Sequence, residues 1–221
     1  MACCLENECK NHPIINALGT KLQIEVFCLC SGHGKTKFKI WFRTQSIQSV
    51  LLISHLSNRY GWVCECAPEG GELFLLESRN LGEQSYQESL DICNRVLSLK
   101  EYEQIPSSEG FAGGKTLETF LKDPKRDPEC VPLVVAMFGI PGIKPFSSCS
   151  GHGETNPWFY FRSSRVDSLF HLFDTVYKVS SWRCSVDVSC TDLWKLTSLD
   201  KGEEAYRQVR RVAELLQTKT K

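Results

Sequence analysis

Apolar side chains at Val166, Leu169, Phe170, Phe173, Val176 and Tyr177 recur every three or four residues, which places them on one face of a helix. Ile47, Val50 and Leu51 carry the same spacing behind Ser46, whose hydroxyl suits a helix N-cap. Tyr86, Leu90, Cys93 and Leu97 predict the inner face of a further helix, and Tyr206, Val209, Ala213 and Leu216 predict its counterpart. The runs Leu22 to Cys30, Phe38 to Thr44, Trp62 to Cys66 and Glu72 to Ser78 are rich in aromatic and β-branched residues and read as strands. Pro13 and Pro132 each open a short helical run, a position where the missing N–H costs little.

The pattern occurs twice. A slide of 119 positions aligns Cys30-Ser31-Gly32-His33-Gly34 with Cys149-Ser150-Gly151-His152-Gly153, and Phe42-Arg43 with Phe161-Arg162. A slide of 120 aligns Trp62, Cys64, Leu76, Ser78, Gly82 and Glu83 with Trp182, Cys184, Leu196, Ser198, Gly202 and Glu203. The expected fold is α+β: a tandem duplication of an α-β-β-α-β-β-α unit, each a four-stranded sheet with helices packed on it, the copies related by pseudo-twofold symmetry. The first repeat covers 1–102 and the second 129–221. Residues 103–128, with their Pro, Gly, Ser and charged run, read as the linker.

Composition narrows the function classes. Lys and Arg total 26, as do Asp and Glu, so no net field steers the whole chain to nucleic acid or an anionic membrane. The first residues lack the basic and apolar regions of a signal peptide, and no segment approaches the roughly 18 apolar residues of a membrane span. The expectation is a cytoplasmic protein without membrane or nucleic-acid partners. Twelve cysteines then read as buried thiols, metal ligands or a reactive thiol rather than disulfides.

Reversing direction at each short connection gathers Cys9, Cys30, His33, Cys64, Ser78 and Glu83 at one end of the first unit, and Cys130, Cys149, His152, Cys184, Ser198 and Glu203 at one end of the second. Three chemistries suit these residues. Cys9, Cys30, His33 and Cys64, and Cys130, Cys149, His152 and Cys184, offer the three-thiolate, one-imidazole shell of zinc. Cys30 with His33, or Cys149 with His152, makes a nucleophile and base, oriented by Glu83 or Glu203. Finally, Ser31, Gly32, His33 and Gly34, and Ser150, Gly151, His152 and Gly153, form loops whose backbone N–H groups suit phosphate or carboxylate. Arg43 and Arg162 add shared cations, Lys35, Lys37 and Lys39 a basic run, and Trp158 or Tyr160 a stacking surface.

The leading expectation is therefore a repeat protein binding a small anionic ligand, a nucleotide or metabolite, with a zinc- or thiol-dependent hydrolase or a purely structural interaction module as alternatives. Gly110 to Thr116 departs from a phosphate loop because Glu109 stands where the motif needs glycine. Ser147-Ser148-Cys149-Ser150-Gly151 resembles the Ser-Cys-Ser-Gly signature of the tRNA wybutosine-synthesis methyltransferase family, whose next residue is usually arginine; here it is His152.

Overall fold

The computed structural model describes residues 9, 11–32, 35–68, 72–100, 116–123, 125–179, 181–187 and 193–218. Helices and antiparallel strands alternate through two compact units, Met1–Ser107 and Ser108–Lys221. The first carries α1 (Pro13–Leu22), β1 (Glu25–Cys30), β2 (Lys39–Arg43), α2 (Ile47–Asn58), β3 (Val63–Cys66), β4 (Phe74–Glu77) and α3 (Gly82–Leu97). The second opens with α4 (Leu117–Leu121) and continues as α5 (Val131–Phe138), β5 (Ile143–Cys149), β6 (Trp158–Ser163), α6 (Val166–Tyr177), β7 (Trp182–Val186), β8 (Trp194–Ser198) and α7 (Gly202–Thr218). No helix among the described residues is long and apolar enough to cross a membrane.

Strand pairing in the first unit runs β1-β2-β4-β3, all antiparallel, and in the second β5-β6-β8-β7. Residues opposed in a ladder share a face, so Ile40, Leu76 and Cys64 fall together, as do Phe159, Leu196 and Cys184. All six are at most 1% exposed. They form the cores on which the helices lie.

Local chemistry shifts several expected boundaries. Leu22 belongs to α1 rather than to the strand, because it completes the buried stripe Ile14, Leu18 and Leu22; Gln23 then ends the helix in the left-handed region at φ 54°. His12, not expected in any role, caps α1 by accepting from Ile14 N at 3.3 Å. Ser46 caps α2 as its residue type predicts, accepting from Ser49 N at 3.1 Å. The segment expected to be linker contains α4 and, at its end, a 3₁₀ turn Pro128–Cys130.

The inner face of α3 differs from the apolar stripe read from the sequence. Tyr86 and Leu97 are exposed, and the helix instead buries Ser85, Glu88, Ser89, Ile92, Cys93 and Val96. Polar groups go inside because each finds partners: Glu88 accepts from Trp62, Ser78 and Asn80, and Ser89 meets His12. In α7 the expected Val209, Ala213 and Leu216 are buried, joined by Ala205, Gln208 and Val212.

Candidate functional site

The Ser-Gly-His-Gly turn of the second unit is fixed by backbone geometry. Gly151 adopts φ 74°, and a Cβ there would stand 3.0 Å from Thr155 Oγ1 and 3.2 Å from the Asn156 backbone. Its carbonyl accepts from the N–H groups of Glu154 and Thr155, both at 2.9 Å. His152 follows at φ 50°, a conformation rare for a residue with a side chain. In the first unit Gly32 adopts φ 75° and accepts from Lys35 and Thr36 at 2.8 Å, so the same turn closes both loops. His33 and Gly34 lie outside the described residues.

The turn brings three ligand atoms together. His152 Nε2 is 3.7 Å from Cys149 Sγ and 3.9 Å from Asp127 Oδ2, and the three atoms lie within 4.8 Å of one another. Around a tetrahedral zinc ion a nitrogen and an oxygen ligand would be about 3.3 Å apart and a nitrogen and a sulfur ligand about 3.6 Å apart, given Zn–N and Zn–O near 2.0–2.1 Å and Zn–S near 2.3 Å. The nitrogen–sulfur edge is within a few tenths of an ångström of that spacing, and the nitrogen–oxygen edge is longer than it by about half an ångström, a gap that a small inward shift of the exposed imidazole would close. Its supports are backbone groups: Ser150 N donates to Asp127 Oδ2 at 2.7 Å, and Gly151 N donates to Cys149 Sγ at 3.3 Å. Those bonds aim the carboxylate and the sulfur, as outer-shell partners do at metal sites. Asp127 is 13% exposed at its side chain and His152 is 74% exposed, which leaves the imidazole side open.

Asp127 was missed by sequence reasoning because it lies in the charged run taken as linker. A signal was present: Asp127 precedes Cys149 by 22 positions, and Glu8 precedes Cys30 by the same 22. Glu8 lies outside the described residues.

Other expected ligands are placed elsewhere. Cys184 is 1% exposed and opposes Leu196, whereas Cys149 opposes Trp158, whose other neighbour is Thr197. Cys184 and Cys149 therefore point to opposite faces and cannot share an ion. The same parity separates Cys64, opposite Leu76, from Cys30, opposite Lys39 and Glu77. Cys130 is fully buried, and burial, reinforced by the charge of Asp127, pushes its thiol up to about 12 against a bond with Ser148 that acts the other way. Burial of this kind favours the neutral thiol, and Cys130 is not among the three described residues whose ligand atoms converge. Cys9, 2% exposed, donates to Ser31 Oγ at 3.7 Å.

Two polar groups expected beside the loops have partners of their own. Ser78, expected at the loop, bonds Glu88, and Glu203 pairs with Arg210 at 2.7 Å. In the second unit Cys149 and Asp127 approach the same imidazole nitrogen. A nucleophile–base–acid relay needs the thiol on one ring nitrogen and the carboxylate on the other. Convergence on one nitrogen suits a shared metal ion instead.

The loop amides also bear on anion binding. The N–H groups of Ser150, Gly151, His152, Glu154 and Thr155 are engaged by Asp127, Cys149, Ser150 Oγ and Gly151 O. The chain's own carboxylate and sulfur take up the donors that an external anion would need.

Arg43 and Arg162 recur for a local reason. The ladders β1·β2 and β5·β6 each slip by one residue, at Phe27 and at Phe146. The bulged rings meet Arg43 at 5.5 Å and Arg162 at 5.9 Å, a cation–π pair in both units. Arg43 also borders an open cavity of about 590 Å³ with Gln23, Glu25, Thr44, Gln45 and Glu72, whose two carboxylates oppose an anionic occupant. Trp158 and Tyr160 are half-buried neighbours on β6 with ring centroids 4.9 Å apart.

Comparison with known proteins returns no match to a family model, a curated protein or a solved structure.

Proposed function

We propose that this chain is a tandem duplication whose second unit holds a divalent metal ion through Asp127, Cys149 and His152, and that the ion's remaining position receives a small anionic ligand. The observation that carries this reading is the convergence of three different ligand atoms within 4.8 Å, two of them aimed by backbone N–H groups. One nitrogen, one sulfur and one oxygen form a borderline donor set that suits zinc. Three protein ligands leave a fourth tetrahedral position, as in catalytic rather than structural zinc sites. An anion there is favoured by the ion's charge, without help from the loop amides.

The duplication is supported by matching bulges at Phe27 and Phe146, matching glycine turns at Gly32 and Gly151, and matching indole bonds from Trp62 and Trp182. Three such irregular features at corresponding positions are not a general requirement of α+β packing.

The test is metal analysis of the purified, tag-free chain, with cobalt(II) substituted for zinc. A thiolate-to-cobalt absorption band is expected, and Cys149→Ser should abolish it with the far-UV circular dichroism unchanged. His152→Ala should lower bound metal by one equivalent per chain. Absence of zinc or cobalt uptake, or uptake indifferent to both substitutions, would overturn the proposal.

A further inference from the structure

The strands of the two units differ in charge although they share a register pattern. Strands β1 to β4 carry two cations, Lys39 and Arg43, against three carboxylates, Glu25, Glu65 and Glu77. Strands β5 to β8 carry four cations, Lys144, Arg162, Arg183 and Lys195, and no Asp or Glu. Neutrality of the whole chain hides this local excess.

Register puts all four cations on one face. Lys144 opposes Arg162, and Arg162 alternates with Tyr160 and Trp158 along β6. Tyr160 opposes Lys195, while Trp158 opposes Thr197, which in turn opposes Arg183. This is the face opposite the core residues Phe159, Phe161, Leu196 and Cys184, and none of its four cations or two aromatics is buried. The two rings lie 4.9 Å apart at 56°, and Lys195 Nζ stands 5.5 Å from the Tyr160 ring. The corresponding position to Lys195 in the first unit is Leu75, buried at 5%, and the position corresponding to Trp158 is Lys39, ion-paired to Glu77 at 2.9 Å.

Aromatic faces interleaved with cations on a sheet match one class of partner chemically: a chain that carries both flat rings and phosphates. Bases stack on aromatic side chains whatever their sequence, and the backbone phosphates follow the cations. Four strands span about 14 Å across the sheet, enough for two or three nucleotides. We propose that this face of the second unit binds single-stranded nucleic acid, with Trp158 and Tyr160 as the stacking platform and Lys144, Arg162, Arg183 and Lys195 as phosphate contacts. A duplex fits poorly, since its bases are already stacked on each other and its outer surface offers the rings nothing.

The test is fluorescence anisotropy with short labelled oligo(U), oligo(dT) and a duplex of matched length, at low and physiological salt, using the full chain. Single strands should bind more tightly than the duplex; preference for oligo(U) or oligo(dT) identifies RNA or DNA as the better ligand, and either supports the proposal. Trp158→Ala should weaken binding about 10-fold, and Trp158→Phe should restore most of it. Arg183→Ala and Lys195→Ala should each reduce the slope of log affinity against log salt by about 0.7. Metal content measured on the same variants separates loss of the face from loss of the neighbouring metal site. Failure to bind at low salt would overturn the proposal. So would duplex or inorganic polyphosphate competing as well as single strands while Trp158→Ala has no effect.

Discussion

The indole Nε1 of Trp62 donates to Oε2 of Glu88 across 2.9 Å, in a buried network that also takes bonds from Ser78, Asn80 and Gln84 onto the same carboxylate. The second unit builds this junction with the acid and the amide exchanged. Trp182 donates to Gln208 at 3.1 Å, and Gln208 passes its own amide protons to Asp200 and Glu204. Asn80, Gln84 and Glu88 thus correspond to Asp200, Glu204 and Gln208. Each set places donors against acceptors, so single exchanges must break it.

Gln208→Glu should destabilise the chain by about 2–4 kcal/mol, because it sets a buried carboxylate against Asp200 and Glu204. The triple substitution Asp200→Asn, Glu204→Gln, Gln208→Glu, which installs the first unit's arrangement, should recover most of that loss. Thermal melting of wild type, single and triple variants provides the comparison. A triple variant no more stable than the single one would refute equivalence of the two networks.

His12 makes stability depend on acidity. Burial lowers its pKa from 6.5 to about 4. Its Nδ1 accepts from Ile14 N, and Ser89 donates its own proton to Tyr86 O, so the neutral ring carries its proton on Nε2 and donates to Ser89. The unfolded state binds more protons between these values, so the His12 contribution is fully present above pH 6.5 and lost as pH falls through about 4. Its full size is about 3 kcal/mol. Chemical denaturation across pH 4 to 7 should show this slope in wild type and a shallower one in His12→Asn, which retains a capping side chain.

Zinc at a hundredfold excess over its dissociation constant should stabilise the chain by about 2.7 kcal/mol, through preferential binding to the folded state. Chelator should reverse the shift in melting temperature. In Asp127→Asn the shift should shrink markedly, since the amide is a poor ligand.

Gly151→Ala should cost about 1–3 kcal/mol, from a positive φ and a methyl group pressed against Thr155 and Asn156. Because the turn aims Cys149 and His152, the same variant should bind metal more weakly even where it remains folded. Gly153→Ala, at φ 79° but with nothing within 4 Å of the new methyl, provides the control for backbone strain without the close contact. Equal metal affinity in the two variants would mean that packing at Gly151 does not position the ligands.

Much of the architecture was legible along the chain. The stripe on α6, the cap at Ser46 and the pairing of Cys149 with His152 depend on residues within a few positions of each other, and local spacing suffices to place them. The inner face of α3 was not, because Glu88 and Ser89 become acceptable inside only when Trp62, Ser78 and His12 arrive from distant segments. Reading apolar period alone rotated that face towards Tyr86 and Leu97.

The sequence by itself determined the α+β element order and the tight glycine turns, since hydrophobic period and glycine's access to positive φ act over short stretches. Tertiary structure alone decided which groups stand beside Cys149. Strand register sends Cys184 into the core and Cys149 to the other face, and chain packing returns Asp127 to a loop 22 residues further on. Parity across a sheet and proximity through folding are properties of pairings between segments, and no single segment encodes them.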